Sequence, residues 1–511
     1  MQRLTNAALI KIARRHINDL FAAHVEWFFI ADRRSQSLRH NEFELTTSHG
    51  RLVLSCWTDK GVRSWRIVAW QWTGEKLLLQ AVRRMGAEQL TIEMVPRASA
   101  SAISAVVRAA RQVRADQLAQ LAASLVAGAR IERAALSPGI RRGQPGRFAR
   151  ILLRLKHQRV AVTASVTSSV PGEVDAFLAS ALLWFRRTSQ RAGAPYLQQL
   201  WLIVESCSVK TIKQRLALLN DGLRSCIVLY EIDAGWTQLT ALACPELREF
   251  WKRRLPRFPP VGETPITELS QKLQGLAPEA IDIVKARNGE TLRFFGLPFA
   301  RVRQLMGREG VWFGLDGAHR RLLDEDTERE WQTLLSDLRT YRTATSNDRH
   351  HSLYRAAAEA WLESILRRDI TKLDPGLIIA PLHAQFRTTR RGVFGARPID
   401  LLALRQDGRL VVIELKVTED REHVLQGADY WQRVEAHRRR GQIARARLFG
   451  RRVISDEPPL VYLVAPTLRV HPALPTLGRM ITPAIEVYRF DINEDWRSGV
   501  RVMRRIRING V

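Results

Sequence analysis

Residues 397 to 430 read RPIDLLALRQDGRLVVIELKVTEDREHVLQGADY. The run from Pro398 to Leu404 is apolar apart from Asp400, and Leu410 to Leu415 is apolar apart from Glu414. Each run has the length and character of a buried strand carrying one carboxylate near an end. Gln406-Asp407-Gly408 between them is a hairpin turn signal. Because strand side chains alternate faces, the register decides whether the two carboxylates meet. A two-residue Asp407-Gly408 turn pairs 400 with 415 and separates them. A three-residue loop with Gly408 in the left-handed conformation pairs 400 with 414 and joins them. The second register is the expectation.

Two carboxylates side by side in an apolar sheet repel, and desolvation adds to the cost, unless a cation lies between them. Oxygen-only ligands suit Mg²⁺ or Mn²⁺, which keep several waters and share a site with a substrate phosphate. Lys416 lies two residues beyond Glu414 on the same strand face, where it can orient or activate a water and offset charge on a phosphorane-like transition state.

Pro-Ile-Asp, thirteen intervening residues and Glu-Leu-Lys resemble the PD-(D/E)XK nuclease superfamily, in its RecB-like and mismatch-endonuclease-like branches. Gln426 and Tyr430, four apart on the following helix, match the Gln-x-x-x-Tyr element of those branches. The resemblance covers residues 353 to about 511 only. It implies a restriction-endonuclease-like αβββαβ core, a mixed sheet flanked by helices. It further implies Asp400, Glu414 and the Leu415 backbone carbonyl as metal ligands, Lys416 as the catalytic base or water-orienting group, and Gln426 and Tyr430 as strand-positioning residues. The family's glutamate on the preceding helix falls on Glu359 or Glu363 in AEAWLESIL; Glu359 fits the motif better, with Glu363 in support.

The 511 residues allow three or four domains with substantial cores. A hydrophobic content of 46% with 26% charged residues belongs to a folded globular chain. The formal net charge is +29 and arginine far outnumbers lysine, so a polyanionic partner is expected; the resemblance to nucleases implies DNA ahead of RNA. The four cysteines, Cys56, Cys207, Cys226 and Cys244, are far apart in apolar surroundings, which fits reduced core residues and neither a zinc site nor a disulfide framework. No apolar run has the length of a membrane span and the N-terminus lacks a signal-peptide core. The expectation is a cytoplasmic protein with no membrane partner, with association with the nucleoid left open.

In chain order, residues 5 to 24 predict a helix, Glu42 to Pro96 a strand meander, and Ser99 to Ala134 a helical segment, together a first domain over 1–136. The Pro/Gly/Arg stretch Ser137 to Arg147 reads as a boundary. A second α/β domain follows over 147–254, repeating the layout of the C-terminal core without its Asp and Glu-x-Lys. The proline-rich stretch Leu255 to Pro265 is a further break, and 266–342 reads as a mostly helical bridge with one strand pair and a turn at Asp316-Gly317. His350 and His351 lie in a polar loop and read as solvated. The nuclease-like domain takes 347–511. Its long helix carries Arg433, Arg438, Arg439 and Arg440 as nucleic-acid contacts, and Arg501, Arg504, Arg505 and Arg507 close the chain as a basic tail.

The sequence therefore predicts a Mg²⁺- or Mn²⁺-dependent deoxyribonuclease of a repair or defence system. The alternative is a catalytically inactive nucleic-acid-binding scaffold or a component of a larger assembly. Protein partners and homo-oligomers stay open, as does the form of the substrate.

Overall fold

The computed structural model describes residues 1–24, 26–31, 34–39, 42–58, 61–74, 76–83, 88–96, 100–139, 145–156, 158–167, 173–190, 197–252, 265–286, 289–305, 308–315, 320–386 and 398–510. The turn expected at Asp316-Gly317 and nearly all of the proline-rich stretch 255–265 fall outside them. The fold is mixed α/β and multidomain. It divides into two compact units, Met1–Val107 with Pro265–Trp361, and Arg108–Thr264 with Leu362–Val511.

The first strand is β1 (Gln2–Arg3), followed by α1 (Ala7–Ala22). Asn6 caps this helix, its Oδ1 accepting the Leu9 N–H at 2.9 Å. Ile10, Ala13, Ile17 and Phe21 form its buried stripe. Then come β2 (Glu26–Ala31), β3 (Arg34–Arg39), β4 (Phe43–Ser48), β5 (Arg51–Thr58), β6 (Gly61–Trp72), β7 (Leu77–Arg83) and β8 (Glu88–Pro96). They form a sheet ordered β3-β2-β8-β7-β6-β5-β4, with β1 beside β6. The expected meander is its β4-to-β8 part. Trp65 is buried there, Trp70 and Trp72 are half-buried, and Trp57 is exposed.

α2 (Ala100–Ser124) ends earlier than the composition suggests, and residues 130–138 form a strand, β9 (Arg130–Pro138). β9 pairs with β10 (Pro145–Leu155), Leu136 opposite Ala149. The strands on either side of the expected boundary at 137–147 are thus neighbours in one sheet. β11 (Gln158–Ser165), α3 (Val174–Ser189), β12 (Leu197–Glu205), α4 (Ser206–Leu216), α5 (Asp221–Ser225), β13 (Ile227–Ile232) and β14 (Leu239–Leu242) complete this core.

The stretch expected to be mostly helical is mostly sheet. Between α6 (Glu268–Gly275) and α7 (Glu328–Tyr341) lie β15 (Ile281–Ala286), β16 (Gly289–Phe294), β17 (Leu297–Leu305), β18 (Arg308–Phe313) and β19 (Arg321–Leu322), an antiparallel sheet in sequence order. The next short helix, α8 (Ser352–Arg355), is capped by His351, whose Nδ1 accepts the Leu353 N–H at 3.2 Å and whose ring stacks 3.7 Å from that of Tyr341. His351 is therefore a structural residue of this turn.

After α9 (Ala358–Arg368) the chain forms β20 (His383–Phe386), β21 (Ile399–Leu404), β22 (Leu410–Leu415), α10 (His423–Arg439), α11 (Gln442–Arg445), β23 (Leu460–Pro466), α12 (Leu474–Gly478), β24 (Glu486–Ile492) and β25 (Val502–Arg507). The arginines expected in a basic tail belong to or adjoin β25, a paired edge strand.

The second unit contains one design twice. Its two six-stranded sheets run β9 to β14 and β20 to β25 in sequence order. In both, strand pairings one and two are antiparallel, three and four parallel, and five antiparallel. One apolar core joins the two: it includes Phe177 and Leu178 of α3, Leu216 of α4, Val424, Ala428 and Trp431 of α10, and Leu477 of α12. Packed between its own sheet and the helices of the other core, α10 buries residues from His423 to Gln432 without a break. Its charges follow suit: Arg215 on α4 bridges Asp175 of α3 and Asp429 of α10.

Candidate functional site

β21 and β22 pair Leu401 with Ile413, Leu402 with Val412 and Leu404 with Leu410, so 400 lies opposite 414. The loop meets the demand of that register, with Gly408 at φ +82° and its N–H bonded to the Arg405 carbonyl at 3.0 Å. Asp400 and Glu414 share the face covered by α10.

Asp400 is held at both oxygens and Glu414 at one. Asp400 Oδ2 accepts the Leu415 N–H at 2.8 Å, and its Oδ1 accepts from Gln385 Nε2 at 3.4 Å. Gln385 Nε2 also donates to Glu363 Oε2 at 2.6 Å. Gln385 stands on β20 in a left-handed backbone conformation, φ +49°, a strained state for a residue with a side chain. Lys416 Nζ donates to Glu414 Oε1 at 2.7 Å. Glu414 Oε2 is buried with no hydrogen-bond partner, and so is Gln426 Oε1.

Electrostatics follow from burial. Loss of solvent first, and Asp400 second, raise the Glu414 carboxyl well above the ordinary value, with Lys416 opposing. Burial, then Glu414 and Asp400, push the Tyr430 phenol upward, so it stands beside the carboxylates as a neutral donor. Burial and then the Lys416 ammonium push His423 down to about 3. A neutral imidazole can bond a carbonyl only by donating, so His423 Nε2 gives its proton to the Glu414 carbonyl oxygen at 3.1 Å. This bond ties the start of α10 to the end of β22.

Asp400, Glu414, Lys416, Tyr430 and Glu363 are thus brought together, with Gln426 one helical turn from Tyr430. Glu359, favoured by motif position, is exposed in the first turn of α9, whereas Glu363 is buried and bonded into the network. The arginines expected to meet phosphates, three in α10 and Arg440 at its C-cap, have partners within the chain. Arg433 pairs with Asp429 and lies over the Tyr430 ring at 5.5 Å. Arg438 and Arg439 both bond the buried Glu435, at 2.7 and 2.6 Å. Arg440 donates to the Ala436 and Trp251 carbonyls at 2.8 and 2.6 Å. The cysteines also differ from expectation: only Cys56 is buried, and Cys207 is exposed.

Gln385 and His423 are absent from the sequence reading. The signal for Glu363 was present: it lies between Trp361, Leu362 and Leu366 on the buried stripe of its helix.

Among the described residues, no three Asp, Glu, His or Cys side chains form a ready-made metal cage. The buried, unpartnered Glu414 oxygen opposite Asp400 nevertheless fits a hard cation that takes two carboxylates and completes its shell with water and phosphate. Comparison with known proteins gives no matching family model, no matching curated protein and no matching solved structure.

Proposed function

We propose that the chain is a metal-dependent deoxyribonuclease of the PD-(D/E)XK type, its active site on the β21–β22 hairpin and its cofactor Mg²⁺ or Mn²⁺. The observation that carries this reading is the Glu414 carboxyl: an acid buried beside a second acid, with one oxygen left without a donor. Such a group either keeps a proton or is completed by a cation, and the second acid beside it is what favours a divalent ion here.

Asp400 and Glu414 would hold the ion. Within a strand the N–H and C=O of one residue point to the same side, so the Leu415 carbonyl faces the side on which its N–H meets Asp400, where it would serve as the third ligand that the resemblance implies. When bound, the ion would supply Lewis-acid polarisation of the phosphate and acidify a water. Lys416, kept near the carboxylates by its bond to Glu414, orients the attacking water and offsets charge on the transferring phosphate. Glu363, linked through Gln385, would hold Asp400 in place. Tyr430 and Gln426 present donors to the strand being cut.

The test is cleavage of labelled single-stranded, duplex and branched DNA in Mg²⁺, Mn²⁺ or EDTA. Metal-dependent cutting that falls at least a hundredfold in both Lys416→Ala and Glu414→Ala, with DNA affinity nearly unchanged in Lys416→Ala, is the expected result. Cutting that survives both substitutions overturns the assignment. The same substrates bound but never cut would replace it with the scaffold reading.

A further inference from the structure

The repeat in the second unit sets each position of the candidate active site against a counterpart. The final ladder pairs, Leu415 with Val464 and Ala164 with Ile203, align the two cores. Arg150, opposite Thr163, then holds the place of Asp400 opposite Glu414, and Ser165 that of Lys416. Ala135, opposite Arg150 on β9, stands where the other core has Gln385. Both acids of the hairpin are gone, and a guanidinium occupies the place of one of them.

That guanidinium is half-buried. Its Nη2 donates to Ser180 Oγ at 3.4 Å and it lies 5.8 Å from the Trp184 ring centre. Arg133 on β9, Arg187 on α3 and Arg421, just before α10, act on it as nearby positive charges; burial first, and then these three, push Arg150 down to about 10. None of the four forms an ion pair with any described residue, unlike the arginines of α10. Like charges gathered around a half-buried guanidinium destabilise one another unless an anion joins them, and planar guanidiniums match phosphate oxygens.

We propose that this degenerate core is a phosphate seat, in which Arg150, Arg133, Arg187 and Arg421 grip the backbone of DNA while the other core's hairpin carries the chemistry. The proposal rests on the nuclease reading for its choice of polyanion, but it concerns binding and stands or falls separately from cleavage.

The experiment is binding of a short fluorescent DNA duplex to the full chain in EDTA, across a salt series, for wild type, Arg150→Gln, Arg150→Lys and Arg187→Gln/Arg421→Gln. Melting curves establish that each variant is folded. Arg150→Gln is expected to weaken binding about three- to tenfold near physiological salt and to lower the slope of log affinity against log salt by about one; the double variant should lower it by about two. Arg150→Lys should keep most of the slope. Unchanged affinity and slope in folded Arg150→Gln and in the double variant overturn the proposal even if the wild type cuts DNA. A wild type that binds through these arginines yet never cuts leaves the proposal standing and removes the nuclease reading. A wild type that does not bind the duplex overturns the proposal.

Discussion

An oxygen of Glu414 that is buried without a donor weighs against the metal-free fold, and the sign of its pH dependence follows. The folded-state pKa lies above the ordinary glutamate value of 4.5. As pH rises past that value the unfolded chain releases its proton first, so the metal-free fold loses stability until the folded pKa is passed. Glu414→Gln keeps the shape and removes the charge. In EDTA at mildly alkaline pH it should melt several degrees higher than wild type, with the gap closing as pH approaches 4.5. Mg²⁺ should raise the melting temperature of the wild type and leave that of the variant unchanged. A variant that melts lower than wild type at alkaline pH would refute the account of Glu414 as a strained ligand. Asp400, Glu414 and Lys416 were legible in the sequence because a charge inside an apolar strand is costly and therefore conspicuous. Gln385 was not, because one amide in a four-residue strand has no such contrast. The acidic partners of the α10 arginines were not legible for the opposite reason: charge was visible, but whether Asp429 and Glu435 would be buried beside them depends on what covers the helix.

At the level of elements, the hairpin could be read from its turn. Gly408 takes a left-handed conformation, and a Cβ there would stand 2.7 Å from the Val453 carbonyl oxygen, so the loop length and its glycine fixed the register locally. Helix α10 could not be read in this way. Its periodicity gave one apolar stripe, while the structure buries it on nearly every side because a second core packs against it. Arg215 is the cost and the tie of that packing, lying between Asp175 and Asp429. Arg215→Met would leave both acids buried with less compensation, Arg433 still reaching Asp429. Denaturant unfolding should show a loss of about 3 kcal/mol, near the low end for a broken buried pair. Adding Asp175→Asn and Asp429→Asn should recover much of it, since neutral amides need no cation. An Arg215→Met variant as stable as wild type would mean that the triad contributes nothing to joining α3, α4 and α10.

For the whole chain, the net charge of +29 raises the expectation of a polyanionic partner without saying where it would bind. The repeat was faintly visible as a second run of strand, strand, helix and strand; its matching sheet order emerges only from pairing between residues distant in the sequence. That pairing has a consequence for the product of the proposed reaction. Cutting both strands of a duplex in one encounter takes two competent sites. The two cores of this chain carry one carboxylate pair between them, because Arg150, Thr163 and Ser165 occupy the equivalent places in the other. One chain acting alone should therefore hydrolyse a single phosphodiester per encounter. With supercoiled plasmid in Mg²⁺, open circles should accumulate first and linear molecules only after a lag. That order should persist as the protein is diluted well below the plasmid concentration. Linear product that appears without a lag at every dilution would mean that each encounter cuts both strands, and the repeat would then have to contain a second cutting site that its residues do not provide.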